Sequence, residues 1–417
     1  MAFLPRIIIP GNDGRPDPVL HNAGRRAIER VLRPAVSCAL AALLLVAPRA
    51  ADAQGRGGAA GDTAAARQAA GRQGGQGQGA APARSVRGVL GGVPMNAADS
   101  AIAAVVARLD FDSYKEIIRG LTQFGDREQG TERNARAVDW IDAQLRGWGY
   151  TTQRIRYMYR GQRDSVASPR EEVYATKVGS TVPGEMYILG GHMDGRGTGE
   201  AANDDGSGTA LVMEIARVLA ASDVASTRSI RFALWNNEET GLNGARAYVE
   251  QRAPLQGIEE PAGSGRFPEP KWLGMIQHDM MMWDHGNPVT WNQALDADVD
   301  IEFQLNSARA AESAALGLVL LNSNRMFATD YPAVLSNAMS NTDSTPFMDL
   351  VPAVSLRENR RLYETGNRAN PHWHQPTDLF VSFSDADFRL GFNAMQTTLG
   401  AVARLAGVNI TSTSSNR

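Results

Sequence analysis

The chain has 417 residues, 43% hydrophobic and 21% charged, with a formal net charge of -3. This is globular composition, enough for one large domain or two small ones, and the charge gives no footing for nucleic acid. A single cysteine, Cys38, excludes an intrachain disulfide, a cysteine metal site and a thiol nucleophile elsewhere.

Residues 1–53 read as an export signal. Arg25, Arg26, Arg30 and Arg33 form a basic region, and Ala35 to Val46 is apolar but too short to span a bilayer. Ala51-Asp52-Ala53 then offers a small-x-small cleavage site. An uncleaved anchor is the weaker reading, because Pro34 and Pro48 bracket the run. A lipoprotein at Cys38 is weaker still, because almost no apolar run precedes that residue. The exported chain is expected to carry neither cysteine nor a stable membrane anchor, and to be periplasmic or secreted. Residues 54–92 are dominated by Gly, Ala and Gln, cannot bury a core, and read as a disordered linker. The folded domain is expected over 93–410, with a disordered tail at 411–417.

From Ala97 to Gly120 the spacing of Ile102, Val105, Val106, Tyr114, Ile117 and Ile118 is helical. A second helix spans Glu132 to Gly147, stopped by Gly147 and Gly149. Thr152–Arg160 and Glu171–Val178 alternate like the strands of an edge hairpin. The polar stretch between them leaves no room for an inserted domain.

The apolar run Met186-Tyr187-Ile188-Leu189 is a buried strand. It leads into Gly190-Gly191-His192-Met193-Asp194 and then Asn203-Asp204-Asp205-Gly206-Ser207-Gly208, with a helix from Gly206 to Ala221. Ser229–Trp235 is a strand ending in Asn236-Asn237-Glu238-Glu239-Thr240-Gly241. Trp272–Gln277 is another, ending in His278-Asp279. Val299–Leu316 reads as helix, Leu318–Leu321 as a short strand and Ala353–Leu356 as the last strand. Ser384 with Asp387 makes a capping box that opens a helix to about Leu405. Strands alternating with helices predict an α/β sandwich with a mostly parallel sheet.

The chemistry-bearing residues follow these strands. His192 and Asp204 come after the first, Glu238 and Glu239 after the second, and Asp279 after the third. His372 and His374 lie beyond the last. Parallel strand ends share one edge, so dispersed residues can meet there. Histidine and carboxylate suit Zn²⁺. Two such ions roughly 3.5–4 Å apart can share a carboxylate, polarise a carbonyl and acidify a water. A further carboxylate can take that water's proton and pass it to a leaving amine. Taken singly, each motif also has a plain structural reading. Asp205, for example, suits a helix cap.

Taken together, the motifs resemble the di-zinc exopeptidases that include bacterial leucyl aminopeptidases, aminopeptidase Y and glutamate carboxypeptidase. The resemblance covers roughly residues 100–407. It includes the Phe124-Gly125-Asp126-Arg127 to Gly130-Thr131 loop and the Asn134–Leu145 helix. It implies a three-layer sandwich with a mixed, mostly parallel central sheet flanked by helices. It also implies two Zn²⁺ per chain. His192 and Asp279 would hold one, Glu239 and His374 the other, and Asp204 would bridge them. Glu238 would be the general base. Asp194 would orient the His192 imidazole, and Asp378 matches the acid that trails the last histidine. The same spacing favours His374 over His372.

This chain departs from the family pattern at three places. Trp373 stands where Tyr is usual, Ser344 where the Ser-Asp-His-x-x-Phe segment has histidine, and His278 where Asn is usual. The expected activity is an exported aminopeptidase acting on peptides or small aminoacyl substrates. The alternatives are a carboxypeptidase or dipeptidase, with Arg357, Arg360 and Arg361 binding a substrate carboxylate; a single-zinc glutaminyl cyclase; and a non-catalytic binding domain.

Overall fold

Strand burial explains the layering. In the computed structural model, β1 (Thr152–Tyr159) and β2 (Ser168–Lys177) are partly exposed. By contrast, β3 (Val182–His192) is buried over its second half, and β5 (Arg228–Trp235) and β6 (Lys271–His278) are buried over most of their length. The structure describes residues 95–411, apart from 163, 285–298, 338, 340 and 359–369. The expected leader and linker, Cys38, Arg360 and Arg361 lie outside the described residues.

The eight-stranded sheet runs β1-β2-β5-β3-β6-β9-β7-β8. In it β7 is Val299–Glu302, β8 is Ala333–Ser336 and β9 is Ala353–Arg357. The central strands β5, β3, β6 and β9 are mutually parallel. Antiparallel pairing appears towards the edges, at β1–β2, β2–β5 and β7–β9. The sheet is therefore mixed, with a parallel centre. Tyr159 lies opposite Ser168 in the β1–β2 hairpin, which admits no inserted domain.

One face packs under α1 (Ala97–Val106), α2 (Phe111–Thr122), α3 (Glu132–Gly147), α4 (Gly206–Leu219), α6 (Ala310–Phe327) and α7 (Asp385–Ala406). The other carries α5 (Asn243–Arg252) and an aromatic cluster of Trp235, Tyr248, Trp272 and Phe347. Alternate residues of β3 serve the two faces. Leu189 joins the first cluster, and Met186 and Ile188 the second. Except at α5 and α6, the helices start where side-chain caps satisfy their free N–H groups. Asn96 and Ser384 form capping boxes, and Asp110, Thr131 and Asp205 cap α2, α3 and α4.

Two expectations fail between residues 299 and 336. Val299–Glu302 is a strand rather than the start of a helix, and its acids are buried, with Asp300 opposite Arg357. Val299-Asp300-Ile301-Glu302 does alternate, but four residues are too short a run to outweigh the helical spacing that follows. Leu318–Leu321 lies within α6 rather than forming a strand. A brief apolar run cannot be told from a buried helical segment by pattern alone. The small β4–β10 pair (Val224–Ser226 with Val408–Ile410) and β8 carry no sequence signal of comparable strength.

Candidate metal centre

Parallel register brings the candidate residues to one edge. His192, the last residue of β3, lies opposite Trp235 of β5, and Gly190 lies opposite Gln277 of β6. The segment carrying Glu238 and Glu239 follows β5, and Asp279 follows β6. Only glycine fits at 191. A Cβ there would lie 2.7 Å from the Gly208 carbonyl carbon, so the strand end can approach the first turn of α4.

Two buried groups fix the loop between β3 and α4. Arg127 is fully buried and donates to the carbonyls of Met193 (2.6 Å), Glu200 (2.7 Å) and Ala201 (2.8 Å). Burial away from any directly paired acid lowers its guanidinium to about 10. Asp378 accepts the backbone N–H of Asn203 on Oδ1 and of Asp204 on Oδ2. Beside them, Asp205 accepts the N–H groups of His192, Gly208 and Met280. That contact ties the ends of β3 and β6 to the start of α4.

At the centre, one carboxylate meets two imidazoles. Asp204 Oδ1 is 3.3 Å from His192 Nε2, and Asp204 Oδ2 is 3.0 Å from His374 Nε2. His374 Nε2 is also 3.2 Å from Glu239 Oε2, and His192 Nε2 is 3.9 Å from Asp279 Oδ1. Two triads have donor atoms within 4.8 Å of one another: His192, Glu238 and Asp279, and Asp204, Glu239 and His374. The donor set is nitrogen and oxygen only, as zinc accepts. Glu239 Oε1 is buried with no hydrogen-bond partner. A buried carboxylate oxygen left bare is costly unless a cation faces it. The residues therefore fit zinc.

The electrostatics say the same. Burial, then the neighbouring Asp343, Asp279 and Glu239, push the Glu238 carboxyl well up, against the pull of His192. Burial would lower His374, but Asp204 and Glu239 outweigh it and hold the imidazole at about 9. Burial would raise Asp204, and its two histidines hold it well below the carboxylate range instead. This is an excess of anionic groups waiting for positive charge.

The expected orienting residue acts in two ways. The Asp194 backbone carbonyl is 3.1 Å from His192 Nδ1, while its carboxylate oxygen is 3.7 Å away. That carboxylate accepts the N–H of Glu238 at 3.0 Å and of Glu239 at 3.4 Å. Asp194 thus couples the β3 loop to the glutamate pair. The pair does not continue an extended strand. Asn237, in the left-handed region at φ 64°, turns the chain before it. Arg127, Ala201, Met280 and His374 also have positive φ. For non-glycine residues such backbone is costly and gathers at functional sites.

Several residues fall outside the centre. His278 is buried between the Gly190 carbonyl and the Thr398 hydroxyl, and burial pulls it down to about 4. His372 packs edge-on to Trp283 and Phe383 and bonds Thr377. Ser344 is buried beside Met339 and Ser355. Trp373 lies against the His374 ring, with centroids 4.5 Å apart. Arg357 is buried against Asp279 rather than open to substrate.

Two site residues escape the sequence reading. Arg196 donates to Glu239 at the mouth of the cleft. Glu358 accepts from Asn203 and Asn370. Their spacing gives no signal, because both act through loop geometry.

An α/β sandwich with paired histidine–carboxylate triads at the carboxyl edge of its parallel strands has the make-up of a metal-site protein. The chain belongs to peptidase family M28, whose profile matches residues 172–392, more than half of its length. A protein of Leptosphaeria maculans named "probable zinc metalloprotease" is 34% identical over 175 residues, 37% of this chain and 40% of that one. The chain spans about two fifths or less of the length of the first curated relatives it matches. Among solved structures, an aminopeptidase from Aneurinibacillus sp. strain AM-1 aligns with a TM-score of 0.55 at 15% identity. That alignment covers 73% of this chain and 96% of that one. A glutaminyl cyclase from Porphyromonas gingivalis aligns with a TM-score of 0.51 at 16% identity, over 72% and 98%. At such identities these two likenesses speak for the fold.

Proposed function

We propose that the protein is an exported zinc exopeptidase of the aminopeptidase type. The observation that carries this reading is the Asp204 carboxylate, whose two oxygens face two imidazoles from distant parts of the chain. That arrangement suits a cation on each side. His192 and Asp279 would hold one zinc, Glu239 and His374 the other, with Asp204 between. Bound zinc supplies Lewis acidity, polarising a carbonyl and easing loss of a proton from water. Glu238 is buried within the first triad, in reach of His192 and Asp279. It takes the proton of the attacking water and delivers it to the leaving amine. Asp194 and Asp378 hold the loops that carry these groups.

The aminopeptidase form is favoured over the carboxypeptidase form because Arg357, one of the three arginines expected to hold a C-terminal carboxylate, is buried against Asp279, while Arg360 and Arg361 lie outside the described residues. The acids of the cleft suit a free amine. Export rests on the basic and apolar leader and its Ala51-Asp52-Ala53 site. No helix among the described residues is long and apolar enough to cross a membrane.

Metal analysis joined to a substrate panel tests the reading. The protein is expected to carry two zinc ions per chain and to release an aminoacyl chromophore only from substrates with a free amine. Activity confined to N-blocked peptides would overturn the aminopeptidase form. One zinc per chain, with cyclisation of N-terminal glutamine, would make it a glutaminyl cyclase. A chain that binds peptides without hydrolysing any would be a binding domain.

A further inference from the structure

The cleft over the second triad is lined by Asp204, Glu239, His374, Thr198, Gln375 and one permanent cation, Arg196. Its Nη1 donates to both the backbone carbonyl and Oε2 of Glu239, at 3.1 Å each. Its Nε and Nη2 have no acceptor among the described residues, and its side chain is 51% exposed. A half-exposed ion pair of this kind adds little stability.

The platform beneath Arg196 is fixed. Arg127 holds the carbonyls of Met193, Glu200 and Ala201 on either side of it. The Glu200 N–H donates to the Asp378 carbonyl, and the Glu200 carboxylate accepts from Phe380. The backbone that carries Arg196 is therefore set, and the two contacts of Nη1 with Glu239 place the guanidinium at the cleft mouth. If Glu239 binds metal, its carboxylate charge is shared with that ion and its hold on Arg196 weakens. The carbonyl contact still anchors Nη1, while the outer N–H groups face the cleft.

We propose that Arg196 is a specificity-determining residue that selects substrates with a carboxylate close to the scissile bond. The proposal rests on the exopeptidase reading. A guanidinium presents a planar fork that matches a carboxylate in a way an ammonium does not. Among the described lining residues Arg196 is the one guanidinium, and the proposed metal ligands Asp204, Glu239 and His374 are committed to the ions, so Arg196 is the side chain free to pair with a substrate carboxylate. The carboxylate has two sources, an acidic N-terminal side chain or the C-terminus of a short peptide.

Two matched pairs separate them. Glutamyl and glutaminyl anilides differ only in the side chain, and Leu-Gly and Leu-Gly-amide only in the C-terminus. The zinc-loaded protein is expected to favour the carboxylate member of one pair by about tenfold or more in kcat/KM. The pair that shows this names the source. Arg196→Gln should bring that ratio close to one, and Arg196→Lys should keep part of it. No discrimination in either pair, or a ratio unchanged by Arg196→Gln, overturns the proposal. Zinc content and the unfolding midpoint check that the variant is folded and loaded.

Calorimetry on zinc-loaded Glu238→Gln protein, with and without Arg196→Gln, uses glutamic acid α-amide against glutamine α-amide and Leu-Gly against Leu-Gly-amide as binding ligands. Arg196-dependent discrimination there, with no peptide hydrolysed by the wild type, would keep the carboxylate site and reject the exopeptidase reading. Hydrolysis without discrimination would do the reverse.

Discussion

Arg357 donates to Asp279 Oδ2 at 2.8 Å, and each side chain is only 2% exposed. The same guanidinium lies 3.6 Å from Glu302 of β7. It serves as the counter-charge for two buried acids, one of them a proposed metal ligand. Arg357→Met should therefore destabilise the metal-free chain by about 3–5 kcal/mol, the usual consequence of stranding a buried charge. Arg357→Lys keeps the charge without the fork and should lose less. Urea unfolding of the two variants measures both, and equal midpoints for wild type and Met would contradict the pairing.

Glu238→Gln removes a proton acceptor while nearly keeping shape. kcat should fall by about 10²–10⁴, with zinc content unchanged. Glu238 also lies within reach of His192 and Asp279. Loss of one zinc equivalent in the variant would make Glu238 a ligand and leave the proton transfer without its assigned base.

Protons substitute poorly for metal in this site, and the pH dependence should show it. Burial raises Asp378 to about 7 and Glu358 to about 7, despite the hydrogen bonds each accepts. Unfolded, such carboxyls titrate near 4. From about pH 4 to 7 the metal-free folded chain thus holds protons that the unfolded chain has released, and stability falls as pH rises. His374, raised to about 9, contributes fully below about 6.5 and loses its contribution as pH climbs through 9. Asp204, held low, acts oppositely, but its contribution disappears only in stronger acid. His278, pulled down to about 4, also acts oppositely between about pH 4 and 6.5 and offsets part of the fall from Asp378, Glu358 and His374. The metal-free unfolding midpoint should be higher at pH 5 than at pH 8. Zinc should raise it more at pH 8, where fewer ligand protons have to be shed than at pH 5. A metal-free midpoint that rises from pH 5 to 8 would contradict this account.

Asp378 supplies one oxygen to each of two successive buried N–H groups, those of Asn203 and Asp204. Asp378→Ala strands both and should cost about 3 kcal/mol. Asp378→Asn retains one acceptor and should cost less. Weakened zinc binding should accompany the loss, since Asp204 is the residue held in place. Calorimetric zinc titration of both variants would show it, and undiminished affinity in Asp378→Ala would reject the positioning role.

The legible parts of the chain were those where an apolar run ends in a polar loop. Met186–Leu189, Ser229–Trp235 and Trp272–Gln277 each fall within an observed strand, and the candidate ligands follow at their ends. Asp378 was reachable from its spacing to His374. Arg127 and Arg196 were not assigned roles in that way, because an arginine in a polar loop looks alike whether it is buried or at a cleft mouth. The acids of β7 failed for the opposite reason. Glu302 lies beside Arg357, and Asp300 lies opposite it in register, although Arg357 arrives from a strand more than fifty residues later. Pattern reading sees local periodicity, and these contacts are long-range.

The guanidinium of Arg127 has one more consequence, for anyone trimming the gene. It closes carbonyls of the loop that bears His192 and Asp204, yet it lies upstream of Glu172, where the family profile begins. Asn134, upstream as well, exchanges amide hydrogen bonds with Asn236 just before the glutamate pair. A recombinant fragment cut at the profile boundary would retain every proposed ligand and discard the side chains that brace their loops. Its smallest workable form has to begin ahead of α2, whose last turn offers Arg127 the Leu121 carbonyl.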